Sequence, residues 1–569
     1  MLHLLPRPKF IEERNAILKN NSVNFSGICL DERVGKAISK LPQSTNGIPL
    51  VLSMSDMPRE AYELSASNDI ITIKGGDNAG LFYGIQTLRQ ILSCEDAVCC
   101  NIKDCPDMKY RGFYHDVTRG KVPTVETLKE LIDNLAYYKM NSLQLYVEHT
   151  FEFKEYADSI ERTGYLTADE IRELDDYCYD NFIEFIPSLS TFGHLYELLE
   201  KPQYKHLREV EDLEKEEMFW HNRMHHHTID PTSDESFEII KSLIDQYVPL
   251  FRSNTFNICC DETFDLSIGK HKDFDTGKLY IDFVKKIIDY VKSKGKTVMM
   301  WADILLQHPE CVDLLPDDVI FLNWHYEKNI PVENIEKFSK MNRNQIVCPG
   351  TSTWSRLCEN IEKSRENISN MIDCGYRNSA FGVLNTNWGD WGNPCSLELA
   401  MFGLVLGASK SWNVDTSCGK TFNDDINYLV YKDNKGVEYL TRLDKIHSKI
   451  DWNNFAFIYS NVVYKTKYDS YITYPYESTI QDVIKDCTEL ITTLKTDNNM
   501  DKNYLEEMLV ACEGIGVMAQ LLAKVCKYHI EKPFDTINWL SKYRKMWIKK
   551  NKKSEIKEIE NMFISLEKL

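Results

Sequence analysis

Between Lys109 and about Trp412 the sequence repeats one pattern eight times: a short apolar run, a polar loop, then an amphipathic stretch. The apolar runs are residues 112–117, 142–147, 184–189, 255–260, 297–301, 319–324, 345–348 and 381–384, and each reads as a strand. The stretches between them are helices with recognisable ends. Thr124 opens one that aligns Leu128, Leu131, Ile132 and Leu135, and Thr167-Ala168-Asp169-Glu170 is a capping box. Gly295 closes the helix that carries Phe283, Ile287, Ile288 and Val291. Eight strands alternating with helices over about 300 residues predict an α/β fold, the (β/α)8 TIM barrel.

The flanks read differently. Residues 1–105 are expected to form a small N-terminal α+β domain, with a strand at Pro49-Leu50-Val51-Leu52-Ser53-Met54. Ala61 to Ser65 and Ile70 to Ile73 flank an Asn68-Asp69 turn as a hairpin. Leu81, Ile85, Leu88 and Ile91 then line one face of a helix. The barrel is assigned to 106–414, with the break near Cys105-Pro106-Asp107. Residues 415–569 are polar, Lys-rich and helical in spacing; in 504–528 the apolar face is Leu505, Met508, Leu509, Cys512, Ile515 and Met518. This helical C-terminal domain is expected to pack on the barrel or on a second copy in a homodimer.

Charge narrows the partners. A formal net charge of −19 argues against a nucleic-acid ligand, which needs a basic face. It suits a neutral small molecule such as a sugar. Met1-Leu2-His3-Leu4-Leu5-Pro6-Arg7 lacks the basic-then-apolar order of a signal peptide. No apolar run is expected to approach the roughly 18 residues of a membrane span. A cytoplasmic protein without a membrane partner is the expectation. Seventeen cysteines fit it as buried free thiols, with Cys259, Cys260 and Cys348 in strand-like segments. The adjacent pairs Cys99-Cys100 and Cys259-Cys260 lack zinc-site spacing.

Chemistry is expected where barrel strands end at their C-terminal edge. There the sequence places Asp116 with Arg119, Glu148 with His149, Ser190 leading to His194, Asp261-Glu262, and Trp301 with Asp303. Trp324 with Tyr326, Trp354, and Trp388-Asp390-Trp391 follow the last three strands. Asp261 and Glu262 end the run Phe256-Asn257-Ile258-Cys259-Cys260. Two adjacent carboxyls oppose each other's ionisation, a cost that makes sense if one donates a proton while the other stays charged. The bland alternative is a solvated pair opening a helix. Taken with indoles at the neighbouring strand ends, the pair favours a pyranose, whose C–H faces stack on aromatic rings and whose hydroxyls seek charged acceptors. Because adjacent strand residues face opposite sides, the strand must flare or end at Asp261 for both to serve one substrate.

On these residues the chain resembles glycoside hydrolase family 20, the β-N-acetylhexosaminidases, over residues 1 to about 415. The resembling segments are Ala79-Gly80-Leu81-Phe82-Tyr83-Gly84-Ile85-Gln86-Thr87-Leu88, Arg111-Gly112-Phe113 through Arg119, Phe192-Gly193-His194, Cys259-Cys260-Asp261-Glu262 in place of Gly-Gly-Asp-Glu, and Trp388-Gly389-Asp390 in place of Trp-Gly-Glu. The resemblance implies exo-acting hydrolysis of terminal β-linked N-acetylglucosamine or N-acetylgalactosamine from an oligosaccharide or glycoconjugate, by a substrate-assisted retaining mechanism without cofactor. Glu262 would be the general acid and base, and Asp261 would orient the substrate's 2-acetamido group. Arg111 would grip sugar hydroxyls and Asp390 would accept from the far ones. Trp301, Trp324, Trp354 and Trp388 would wall the sugar, with His194 in support.

Three departures bear on substrate choice. Asp390 is one methylene shorter than the family's Glu. Glu148-His149 replaces the acidic pair usual after the second strand. The tyrosine that bonds the acetamido oxygen is missing after the seventh strand, where Ser352-Thr353-Trp354 stands; Tyr326 is the substitute. The alternatives are a disaccharide-releasing enzyme, an O-linked N-acetylglucosaminidase, or a non-catalytic sugar-binding protein; the presence of both Asp261 and Glu262 disfavours the last. His225-His226-His227 with His221 nearby is read as a polar loop before a helix opened by Thr232, and no metal is expected.

Overall fold

A computed structural model describes residues 2–27, 31–158, 164–211, 219–224, 227–466, 469–496 and 499–569. The N-terminal part is a six-stranded sheet of β1 (Phe10–Ile17), β2 (Val23–Asn24), β3 (Ile48–Met54), β4 (Tyr62–Ala66), β5 (Ile71–Gly75) and β6 (Val98–Asp104), in the order β1-β6-β4-β5-β3-β2. The hairpin expected around Asn68-Asp69 is the antiparallel β4–β5 pair. Helix Asn78–Ser93, capped by Asp77, buries Leu81, Ile85, Leu88 and Ile91.

The barrel strands are β7 (Tyr110–Asp116), β8 (Ser142–Tyr146), β9 (Glu184–Ile186), β10 (Thr255–Asn257), β11 (Thr297–Trp301), β12 (Ile320–Trp324), β13 (Gln345–Cys348) and β14 (Gly382–Asn387), all paired in parallel in the order β10-β11-β12-β13-β14-β7-β8-β9. A parallel bridge from Ser188 to Asn257 closes the ring, where the Asn257 amide donates to the Pro187 carbonyl at 2.9 Å. Every residue of β7, β8, β13 and β14 is buried, because helices cover the outside and side chains fill the lumen. Tyr110, Tyr114, Tyr146, Met299, Leu322 and Ile346 occupy that lumen, while Phe113, Leu143, Phe185 and Val383 face the helices.

Two strands end three residues before the sequence predicts. The run 184–189 is strand only to Ile186, and 255–260 only to Asn257. Cys259 and Cys260 have φ of 57° and 65°, left-handed backbone that ends a ladder. Thr232 does not open the following helix: it bonds Asp230, and the helix is Asp234–Tyr247 behind Ser233. Of the histidine run, His227 is buried and its Nε2 pairs with the Asn222 carbonyl at 3.0 Å, His221 lies in helix Phe219–Met224, and His225 and His226 lie outside the described residues.

The C-terminal helices pack on the barrel. Trp452 Nε1 donates to the Trp391 carbonyl, and the Tyr543 hydroxyl to that of Pro394, each at 3.0 Å. Glu555 is paired with Arg223, both nearly solvent-free. The central helix, Lys502–Val525, corrects the reading that no run is apolar enough for a membrane: its best window has a mean hydropathy of 1.6. That window is 78% buried inside the protein, so its apolar faces are accounted for by this core.

Candidate active site

The turn after β10 brings Asp261 and Glu262 together. Cys259, Cys260 and Glu262 all take left-handed backbone, Glu262 with φ of 48°. This costs on the order of 1–3 kcal/mol per residue and persists only where surroundings enforce it. Here the Tyr280 hydroxyl donates to the Cys260 carbonyl at 2.9 Å, and Asp303 Oδ2 accepts from the Glu262 amide at 2.9 Å. The adjoining loop must come equally close, for a Cβ on Gly193 would stand 2.5 Å from the Asp261 carbonyl oxygen. The next residue, His194, is also left-handed, and its Nε2 lies 3.2 Å from Asp261 Oδ2 and 3.4 Å from Glu262 Oε2. Burial works against a charge on this imidazole, but the two carboxylates outweigh it and raise its proton affinity well above the ordinary value. Asp261 Oδ1 is buried and has no hydrogen-bond partner within the protein.

Arg119 forms the opposite wall. Asp116 accepts from the Thr118 and Arg119 amides through Oδ1 and from the Gly389 amide through Oδ2, tying the ends of β7 and β14 together. Arg119 Nη1 then meets Asp390 Oδ1 at 2.7 Å, and its guanidinium lies 4.9 Å from the Tyr146 ring centroid and 5.1 Å from that of Trp388. The Tyr146 hydroxyl donates to Glu148 at 2.7 Å. Burial favours the neutral form of Glu148, but His149, Arg119 and His194 together pull its pKa down to about 2.

Between these walls is a cavity of about 200 Å³ lined by Arg119, Asp261, Glu262, Trp301, Trp324, Tyr326, Trp354, Trp388 and Asp390. Trp324 stacks on Tyr326 at 5.1 Å, Trp354 meets Tyr326 edge-on at 5.1 Å, and Trp388 Nε1 donates to the Tyr326 hydroxyl at 2.7 Å. A larger cavity of about 710 Å³ opens at the other barrel mouth beside Tyr110, Glu184 and Phe381, but it carries no such paired carboxyls. Among the described residues, His194 with Asp261 and Glu262, and Glu209 with Asp230 and His271, gather three donors each. In the first the imidazole already pairs with both carboxylates. In the second Glu209 takes the His271 amide and ring, and Lys270 lies 3.8 Å from Asp230.

Of the residues given a catalytic or sugar-binding role from sequence, all but Arg111 and His194 line the sugar-sized cavity, and His194 stands directly behind the acidic pair. Arg111 is corrected. It is the second residue of β7, at the end of the strand remote from the chemistry, and it is fully buried. Its Nη1 bonds Glu60 at 2.7 Å and the Met108 carbonyl at 2.9 Å, and its Nε bonds the Lys139 carbonyl at 3.0 Å. At about 3.3 Å per residue it is some 16 Å short of the strand's far end. Arg119, just beyond that end, holds the cavity instead. Arg111→Met is therefore expected to lower stability by about 3 kcal/mol, by breaking a buried ion pair and orphaning two carbonyls. Thermal melts should show the loss, while kcat per folded molecule stays unchanged; a matching fall in kcat would return Arg111 to the site.

Comparison with known proteins agrees with this geometry. Residues 108–371 match the model of the glycosyl hydrolase family 20 catalytic domain and residues 20–105 that of the family's domain 2, together more than half of the chain. A beta-hexosaminidase of Porphyromonas gingivalis is 27% identical over 286 residues, 44% of this chain and 36% of that protein. A lacto-N-biosidase of Bifidobacterium bifidum is 21% identical over 511 residues, 84% of this chain and 41% of that protein. The chain thus spans about two fifths or less of the length of these curated relatives. The crystal structure of a Flavobacterium johnsoniae chitobiase superposes with a TM-score of 0.62 at 16% identity, covering 99% of each chain, so the fold is shared through the C-terminal helices. Two adjoining domain matches, in the order and at the positions where the sheet domain and the barrel stand, place this chain in glycosyl hydrolase family 20.

Proposed function

We propose that this chain is an exo-acting, retaining β-N-acetylhexosaminidase that removes one terminal β-linked N-acetylglucosamine or N-acetylgalactosamine by substrate-assisted catalysis. The observation that carries this reading is the convergence of Asp261 and Glu262 on one indole-walled cavity whose far side is the Arg119–Asp390 pair. Glu262 gives its proton to the glycosidic oxygen as the bond to the anomeric carbon breaks. The substrate's own acetamido oxygen attacks that carbon from the opposite face, which yields a cationic bicyclic oxazolinium and the free aglycone. Asp261 Oδ1, buried and without a protein partner, is the acceptor for the acetamido N–H, and its charge balances the developing cation. Glu262, now a carboxylate, takes a proton from water as the water opens the ring, giving a retained anomeric configuration. Arg119 and Asp390 bind the far hydroxyls, and the four indoles pack on the ring and the acetamido methyl.

Release of a single sugar is preferred to release of a disaccharide because the cavity is about 200 Å³ and is walled by the Arg119–Asp390 pair. The test is hydrolysis of 4-nitrophenyl β-N-acetylglucosaminide beside the matching β-glucoside. Turnover of the acetamido sugar alone is expected. Comparable turnover of both would exclude participation by the substrate and require a protein nucleophile.

A further inference from the structure

Asp303 lies just beyond β11, the first residue of helix Asp303–Gln307, and it does not line the sugar cavity. Its Oδ2 nevertheless accepts the amide of Glu262 at 2.9 Å, at the last of three left-handed residues in four. Its Oδ1 is buried and has no hydrogen-bond partner within the protein. The ionisable groups around the carboxyl are Asp261 and Glu262 from the turn, the Cys260 thiol, and the Tyr280 hydroxyl from helix Thr276–Ser293. His194 meets the two carboxylates of the turn directly.

We propose that Asp303 is a positioning residue for the acidic pair: it anchors the Glu262 amide in the left-handed turn that aims both carboxyls into one cavity, and its charge acts on theirs. The inference rests on the hydrolase reading above and adds to it a residue that touches no substrate. An amide anchored at 2.9 Å fixes where the Glu262 carboxyl begins its reach. Misplacement of a reacting group by about 1 Å costs about 100-fold in rate. Burial, and then the charge of Asp261, push the Asp303 carboxyl up to about 7, so its negative charge appears as the pH passes through neutrality. Once ionised, Asp303 opposes loss of the Glu262 proton and keeps the acid in its donating form to higher pH.

The test compares Asp303→Asn with Asp303→Ala in the full chain. The asparagine oxygen still accepts the Glu262 amide but carries no charge; alanine removes both. Asp303→Ala is expected to lose about 100-fold in kcat, with KM within about threefold. Asp303→Asn should keep kcat within about tenfold, while the basic limb of kcat/KM moves to lower pH by about one unit. Hydrogen exchange at the Glu262 amide should rise in the alanine variant and stay low in the asparagine one. A wild-type kcat and basic limb in both variants would overturn the proposal. So would an asparagine variant as impaired as alanine with an unmoved limb. If the wild type hydrolyses no N-acetylhexosaminide, the hydrolase reading fails by itself. The exchange measurement then judges the anchor, which is rejected if Asp303→Ala leaves Glu262 protected.

Discussion

Glu262→Gln is expected to lower kcat by about 10²–10⁴-fold with little change in KM, because it removes the proton donor and almost nothing else. Glutamine matches glutamate in shape, and the turn that carries it is held through its backbone amide by Asp303. His194 keeps Asp261 as its partner at 3.2 Å. The size of the loss depends on the leaving group. A nitrophenolate departs with little help, so the 4-nitrophenyl substrate should fall at the small end of that range. A sugar aglycone leaves as a far more basic alkoxide and should fall at the large end. Rates for both substrates on both proteins provide the check, and equal losses would mean that Glu262 does not protonate the glycosidic oxygen.

The barrel was legible because its signal is repetitive. Eight apolar runs with capped helices between them admit few architectures, and errors of two or three residues at strand ends do not change the count. The site was legible where chemistry and position coincide, as at Trp301, Trp324 and Trp388, which end strands or immediately follow them. Arg111 shows the opposite case. An arginine at the start of a strand cannot serve a role that belongs to the strand's end, where the sequence also places Arg119. The turn after β10 was not readable in that way. Cysteines suit a strand by composition, yet Cys259 and Cys260 adopt left-handed backbone that tertiary contacts from Tyr280, Asp303 and Gly193 impose. Those contacts come from residues 20 to 70 positions away, so local propensity carries no trace of them.

The C-terminal helices show the same limit on a larger scale. Their spacing announces amphipathic helices but not the face they cover. In the structure Trp452 and Tyr543 hold the carbonyls of Trp391 and Pro394, in the loop that directly follows Asp390. Glu555 neutralises Arg223 on the helix whose Trp220 packs against Gly392 in that loop. The far wall of the sugar cavity is thus fixed from outside the barrel.

Asp261→Asn is expected to cost about 10²–10³-fold in kcat, from the loss of a charge placed to balance a cation in the transition state. Asparagine keeps an oxygen for the acetamido N–H, so substrate binding should change less than turnover. Unlike the loss in Glu262→Gln, this one should not grow with the basicity of the leaving group, since Asp261 acts on charge in the sugar and not on the departing oxygen. The same substitution has a second readout. His194 is buried, and its proton affinity is raised chiefly by Asp261 against the cost of burial. A cation of this kind stabilises the fold fully below the unfolded histidine value of about 6.5, and that stability drains away as pH climbs toward the folded value. Urea midpoints of the wild type should therefore fall as pH rises above about 6.5, and the fall should flatten in Asp261→Asn. A variant that loses kcat while keeping the full pH slope would place the charge that holds His194 on Glu262 instead. If both variants respond equally to the leaving group, the two carboxylates do not divide the work between the departing oxygen and the acetamido group.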